Sequence, residues 1–440
     1  MANPPPPPPA LLGIPEPLVA SLLRAAAGDR LALVGGAVRD WLLHRVHNDP
    51  WRGLPDLDLV VEAAGAGEAG VATAGAQAIL PPAHRLARAL GTALGEGQLR
   101  SYQEHAAYGT VELEIAVAAA APEGPTSLLL DVASARRETY PVPGENPVVR
   151  FGRLDDDLAR RDFTINAMAL ELQPGGGGTL CDPHGGQADL ARRQLRFLHA
   201  GSVRDDPTRV VRGARYAARM GFQLAPEALA QLRDTLAAWP WRWRAGDPPG
   251  AAPSALATRL RMEFELLLER EAWRRALAAL QAWGALALLD GALQNDPHWR
   301  RRLGWAERLG LPLLPALLAT ARDPLAVAER LQLPHRQHRL LARFLELEDR
   351  LAALGCPRWS AAQWCAWLEA PGSSADAVAL ALACGRGPRR PLLRWWLRWR
   401  HLRPARSAAE LIAAEGLRPG PALGERLRQL RAERLACERL

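Results

Sequence analysis

LALVGGAVRDWLLHR (Leu31–Arg45) and, after a polar connector, DLDLVV (Asp56–Val61) decide how this chain is organised. Leu31–Val34 reads as a short buried strand, Gly35-Gly36 as a turn and Ala37–Arg45 as a helix. In the second strand Asp56 and Asp58 alternate with Leu57 and Leu59, so both carboxylates point one way and both leucines the other. Crowded carboxylates raise each other's pKa unless a cation sits between them. Oxygen-only ligation of that kind suits Mg2+, which takes one or two protein carboxylates together with substrate phosphates. A Gly-Gly turn before a helix N-terminus presents backbone N–H groups that can hold phosphate. Side by side, the two features point to phosphoryl or nucleotidyl transfer. Each also has a plainer reading, a tight turn and a solvated strand face, and the rest of the chain must choose.

With 440 residues the chain is long enough for two or more domains. Its formal net charge of +8 favours an anionic partner. All 55 basic residues are Arg, which a GC-rich genome explains and which suits phosphate binding and base stacking. The five cysteines (Cys181, Cys356, Cys365, Cys384, Cys437) are scattered without a C-x-x-C pair, which argues for a reducing compartment and against zinc or a disulfide framework. The start, MANPPPPPPALL, lacks the basic and long apolar regions of a signal peptide and reads as a disordered or polyproline II tail. No apolar run reaches the roughly 20 residues of a membrane span, so a soluble, cytoplasmic protein without a membrane partner is expected.

Along the chain, Ile14–Ala27 reads as a helix and Ala63–Leu94 as mostly helical. Gly109–Ala116 and Ser127–Ala133 read as strands, the second carrying Asp131 as a third carboxylate for the first pair. Ser134–Val149 reads as a Pro-rich loop able to move. LARRDFTINAMALEL (Leu158–Leu172) crowds Arg160, Arg161, Asp162 and Asn166 among residues that can be buried, and Gly175–Gly178 reads as a hairpin tip. In DDPTRVVRGARYAARMGF (Asp205–Phe222) Asp206 before Pro207 fits a helix cap, and Arg209, Arg212, Arg215 and Arg219 fall on one broad helical face. That face is either a solvated stripe or a functional unit in which Asp206 accepts from a base amino group and Arg209 donates to a neighbouring acceptor. Beyond Pro226 the pattern is helical to the end. Trp and Arg interleave at Trp239–Arg244 and Arg389–Arg406, as a core stripe edged with charge or as a base-stacking surface.

In this order the pieces resemble the bacterial tRNA nucleotidyltransferases of the second class, a family that includes bacterial poly(A) polymerases and maintains the 3′ CCA end of tRNA. GGAVRD (Gly35–Asp40) with DLD (Asp56–Asp58) matches its metal and triphosphate motif, and DVASARRETYPVPG (Asp131–Gly144) its third-carboxylate strand and flexible loop. RRDFTINAMA (Arg160–Ala169) matches the ribose-recognition motif, DPHGG (Asp182–Gly186) the head-to-neck connector, and Asp205–Phe222 the nucleotide-templating helix, with Asp205 where the family usually has Glu. The match is good from about residue 30 to 290 and vague afterwards.

The resemblance implies an α+β fold: a small mixed-sheet head like that of polymerase β, then an all-α neck, body and tail. The boundaries expected are 1–13 for the tail of prolines, 14–200 for the catalytic head, 201–270 for the neck and 271–440 for a tRNA-binding body and tail. Asp56 and Asp58 would bind Mg2+ in a two-metal scheme with Asp131 in support. Gly35, Gly36 and Arg39 would hold the triphosphate, Asp162 would read the ribose, and Arg161 and Asn166 would complete the nucleotide site. Asp206 and Arg209 would template the base, with Arg212 and Arg215 within reach of the triphosphate. Substrates would be the tRNA 3′ end with ATP and CTP. Three activities remain open: whole CCA addition, part of it, or poly(A) synthesis. The long Asp58–Asp131 segment and the loop form resemble the A-adding subgroup, and no Gly-Arg-Arg-Phe signature of poly(A) polymerases is found. A catalytically silent RNA-binding protein would not need the carboxylate pair, and a small-molecule nucleotidyltransferase would not need the basic helical half.

Overall fold

The computed structural model describes residues 14–51, 53, 56–65, 80–95, 97–105, 108–117, 127–173, 178–244, 247–251, 253–355 and 358–438. The expected proline tail (1–13) lies outside them, as do 66–79 of the Ala-rich stretch and 174–177 at the expected hairpin tip. The chain divides into two compact units, 1–241 and 242–440.

The first unit is built on a seven-stranded mixed sheet of β1 (Arg30–Val34), β2 (Asp56–Glu62), β3 (Leu99–His105), β4 (Thr110–Ala116), β5 (Ser127–Ser134), β8 (Ala169–Leu172) and β9 (Gly178–Cys181). Its spatial order is β3-β4-β5-β2-β1-β8-β9. Among the described residues of this sheet only β2 and β5 pair in parallel. β6 (Arg136–Thr139) and β7 (Val148–Phe151) pair separately as a hairpin, so both ends of the expected mobile loop are strands. Charge clamps them: Arg137 donates to Asp156 (2.7 Å), and Arg136 and Arg160 both donate to Glu138 (3.0 Å each). β3 was not legible in LRSYQEH, which has no apolar alternation and is largely exposed.

Helix α1 spans Glu16–Ala26 and α2 spans Gly36–His47, the latter ended by Asn48 in the left-handed conformation. Helix α3 (Pro82–Leu94), begun by proline at its first position, covers one face of the sheet against β2 to β5. Leu57, Leu59, Leu130 and Val132 are buried, each worth about 1.5–3 kcal/mol relative to exposure. On the opposite face Val60 packs with Ala32, Val34, Ala135, Leu154 and Leu158, the last two from α4 (Leu154–Ala159). Asp56 and Asp58 share that face two and four residues earlier, beyond the apolar cluster. A one-residue slip of β2 would bury both carboxylates, so the alternating pattern pins the register.

Helix α5 (Gly186–Arg192) and the short α6 (Ser202–Asp205) lead to α7 (Thr208–Met220). Asp206 accepts from the Thr208 amide (3.1 Å) and hydroxyl (2.7 Å), as a capping carboxylate does, and Gly221 ends α7 in the left-handed conformation. Gly213 lets α7 lie directly on Phe163, since a β-carbon there would stand 2.8 Å from the ring. The last helix of the unit is α8 (Pro226–Ala238).

The second unit is helical throughout its described residues, from Ser254–Arg270 to Pro421–Ala436. Its core includes the fully buried Trp299, Phe344, Trp364 and Trp399. In the Trp/Arg-rich segment Trp395 and Trp399 are core residues, while Arg400 lies over the Trp396 ring at 3.6 Å. Among the described residues no helix is long and apolar enough to cross a membrane.

Candidate active site

Parallel pairing of β2 with β5 sets Asp58 directly beside Asp131, and Asp56 beside Leu129, in one register. The third carboxylate is thus carried to the first two by the sheet. Burial pushes the Asp58 carboxyl up to about 6 against the opposing Arg161, with Asp56 and Asp131 adding to the rise. Asp131 is also raised, first by burial and then by Glu112, its partner across β4. Glu112 escaped sequence reasoning: alternation puts it on one face of its strand, but only the strand order brings that face to Asp131.

The Gly35-Gly36 turn closes over Asp58. Gly35 has φ 71° and ψ −131°, and a β-carbon on it would lie 3.0 Å from Asp58 Oδ2 and 3.1 Å from Arg161 Nη1. Backbone of the α2 N-terminus therefore touches the carboxylate centre, which only glycine permits. Among the described residues no group of three or more His, Cys, Asp or Glu gathers to hold a metal by itself. The pair of raised carboxylates, all-oxygen and beside helix N–H groups, fits a hard divalent cation that arrives with phosphate and water.

Arg39 is buried and already engaged. It donates to Asp40 (2.8 Å) and to Asn166 Oδ1 (2.7 Å), and lies 5.4 Å over the Tyr216 ring. Asn166 in turn donates to Asp162 (2.9 Å), which also accepts from the Phe163 amide and from Arg212 Nε (2.8 Å each). Burial alone would raise Asp162; Arg212, Asn166 and the Phe163 amide instead hold it down at about 2. Tyr216 joins the network, with its hydroxyl 3.1 Å from Arg212 Nη2. It was missed because RGARYAARM reads as an arginine stripe, and nothing in the spacing marks its one tyrosine as facing Asp162.

The stripe itself is graded. Arg209 is buried, with its guanidinium on the carbonyls of Arg160 (2.8 Å) and Ser202 (3.5 Å). Arg212 and Arg215 are partly buried and Arg219 is exposed. Arg161 donates from Nη2 to Asp157 (3.0 Å), while its Nε is buried with no partner among the described residues. Asp157, also missed, sits three and four residues before two arginines, and that helical ion-pair spacing is the signal for it in the sequence. The site thus unites Gly35, Gly36, Asp56, Asp58, Asp131 and Arg161 at one end and Arg39, Asp162, Asn166, Arg212 and Tyr216 at the other, with Asp206 and Arg209 at the start of α7.

A family profile for the poly A polymerase head domain matches residues 88–196. The CC-adding tRNA nucleotidyltransferase of Deinococcus radiodurans is 37% identical over 339 residues, 76% of this chain and 75% of that protein. The A-adding tRNA nucleotidyltransferase of Halalkalibacterium halodurans is 40% identical over 195 residues, 44% of this chain and 36% of that protein. In fold the chain is similar to an apo CCA-adding enzyme, with a TM-score of 0.70 at 22% identity over 98% of this chain and 95% of that one.

Proposed function

Since this chain belongs to the tRNA nucleotidyltransferases, we propose that it transfers CMP from CTP to the 3′ end of tRNA lacking its CC, in a cytoplasmic setting and with a divalent cation, Mg2+, at Asp56 and Asp58. The observation that carries the reading is the in-register pair Asp58–Asp131, with the Gly35 backbone against Asp58. Cytidine is preferred over terminal adenosine because the CC-adding relative matches 76% of this chain and the A-adding one 44%. Terminal A-addition is the second reading, favoured by the form of the 131–144 segment.

A divalent cation bound there would supply charge neutralisation for the triphosphate and activation of the attacking 3′-hydroxyl. The chain's own residues do the rest. Asp56 and Asp58, with Asp131 beside Asp58, would hold the cation, and the Gly35-Gly36 turn offers N–H groups to the phosphates. Arg161, whose Nη1 lies at the Gly35 turn beside Asp58, donates to a phosphate oxygen. Asp162, kept ionised by Arg212 and Asn166, accepts from a ribose hydroxyl. Arg39 acts from behind, fixing Asn166. Asp206 and Arg209 pair with the base: C and A both carry an amino donor beside a ring acceptor, whereas U and G present a carbonyl and leave the pair mismatched. The tethers on Arg209 support a rigid template. The head (14–200), neck (201–270) and body and tail (271–440) go with this proposal, the two compact units meeting in sequence at Trp241–Arg242 inside the neck range.

Three tRNA transcripts test it, ending at the discriminator base, after one C and after CC. Each is incubated with protein, Mg2+ and CTP, ATP or both, and sized to one nucleotide. Extension of the first two by C, stopping at CC, is expected. Extension of the CC-ended transcript by one A alone would replace this reading with A-addition, and completion of all three to CCA would replace it with a single complete enzyme.

A further inference from the structure

One buried group has no part in the mechanism above, the carboxylate of Asp157. It is fully buried on α4, where an ionised side chain is costly unless paired. Its pairing is complete: Oδ1 accepts from Arg160 Nε (2.9 Å) and Nη2 (2.6 Å), and Oδ2 from Arg161 Nη2 (3.0 Å). The two arginines lead to different parts of the site. Arg161 has its Nη1 against the Gly35 turn and acts electrostatically on Asp58. Arg160 offers its backbone carbonyl to the Arg209 guanidinium and its side chain to Glu138 on β6.

We propose that Asp157 is a positioning residue for nucleotide binding: it aims Arg161 at the carboxylate centre and steadies the Arg160 carbonyl on which Arg209 rests. Burial would raise the Asp157 carboxyl, but Arg161 and Arg160 bring it below the ordinary range, so the group stays charged. Asp157 touches no substrate; it works through Arg161. Without its carboxylate Arg161 loses its hydrogen-bonded anion, while Arg160 keeps Glu138. The damage therefore falls on the triphosphate side. A displacement of about 1 Å in a positioned group can cost on the order of a hundredfold.

The inference rests on the transfer reading, and a double-mutant cycle tests it with Asp157→Asn and Arg161→Gln in the full chain. The readouts are CTP affinity by calorimetry with Mg2+, the kcat and KM for CMP addition, and thermal midpoint. Asp157→Asn alone is expected to weaken CTP binding about tenfold and to leave the KM for tRNA within about twofold. In the Arg161→Gln background it should cost less than about twofold further. Full losses in both backgrounds, or CTP binding unchanged by Asp157→Asn, would overturn the proposal. If Asp157→Asn does not fold, Asp157→Glu enters the same cycle and is read by the same criteria. Wild-type protein that binds CTP but adds no nucleotide would sink the transfer reading while the affinity cycle still decides this one.

Discussion

Gly35→Ala is the most exacting test of how turn and carboxylates fit together. At φ 71° and ψ −131° Gly35 occupies backbone space that L-residues avoid, at a cost of about 1–3 kcal/mol. The new methyl would also sit 3.0 Å from Asp58 Oδ2 and 3.1 Å from Arg161 Nη1, closer than ordinary van der Waals contact, so one of these groups must move. A stability loss of about 2 kcal/mol should lower the thermal midpoint of a unit this size by about 4–8 °C. Displacement of Asp58 or Arg161 by a few tenths of an ångström should reduce kcat by about tenfold or more. Gly36→Ala is the matched control for stability. Its β-carbon would meet only Arg39 Nη2 at 3.5 Å, an ordinary contact, and Gly36 already lies within the helix. Alanine there should be neutral or stabilising by up to about 1 kcal/mol. Differential scanning calorimetry and steady-state CMP incorporation read both variants. Equal, small effects at the two positions would refute the close approach of the turn to Asp58.

The Asp162 network should be visible as acid sensitivity. Its folded pKa, about 2, lies below the ordinary 3.8, so ionisation stabilises the fold by about 2 kcal/mol. That contribution is complete above about pH 4 and is lost as pH falls towards 2. Asp162→Asn should therefore flatten the stability curve in that window; a wild-type and variant difference unchanged from pH 6 to pH 2 would refute it. Arg209→Ala removes a buried guanidinium from two carbonyls and should destabilise by about 1–3 kcal/mol. It should also raise incorporation of UMP relative to CMP more than it weakens tRNA binding. Unchanged selectivity in a competition assay would sink the template role.

Local chemistry made part of the site readable. Asp56 and Asp58 alternate with leucines, Gly-Gly precedes a helix, and Asp206-Pro207 opens one; each is a short-range signal whose physics involves only near neighbours. The buried roles were harder to read. Arg39 is expected at the triphosphate because it stands beside a phosphate turn, and the structure adds neighbours that spacing does not reveal, Asp40, Asn166 and the Tyr216 ring. The 134–149 segment reads as a loop able to move because Pro141, Pro143, Gly144 and Pro147 interrupt it. Its strands are held by Asp156 and Arg160, ion-pair partners that spacing alone does not reveal.

By itself the sequence determined that carboxylates and apolar residues alternate on β2, that glycine leads into α2, and that arginines crowd α7. These follow from period-two and period-3.6 geometry, which fixes where side chains point relative to their own backbone. Which faces meet is a different matter. Asp131 meets Asp58 on one side and Glu112 on the other only because β5 inserts between β4 and β2. Asp157 gains its role because the Arg161 it holds reaches the Gly35 turn, more than a hundred residues earlier in the chain. Such meetings depend on long-range strand pairing and helix packing, so only the tertiary structure decided them.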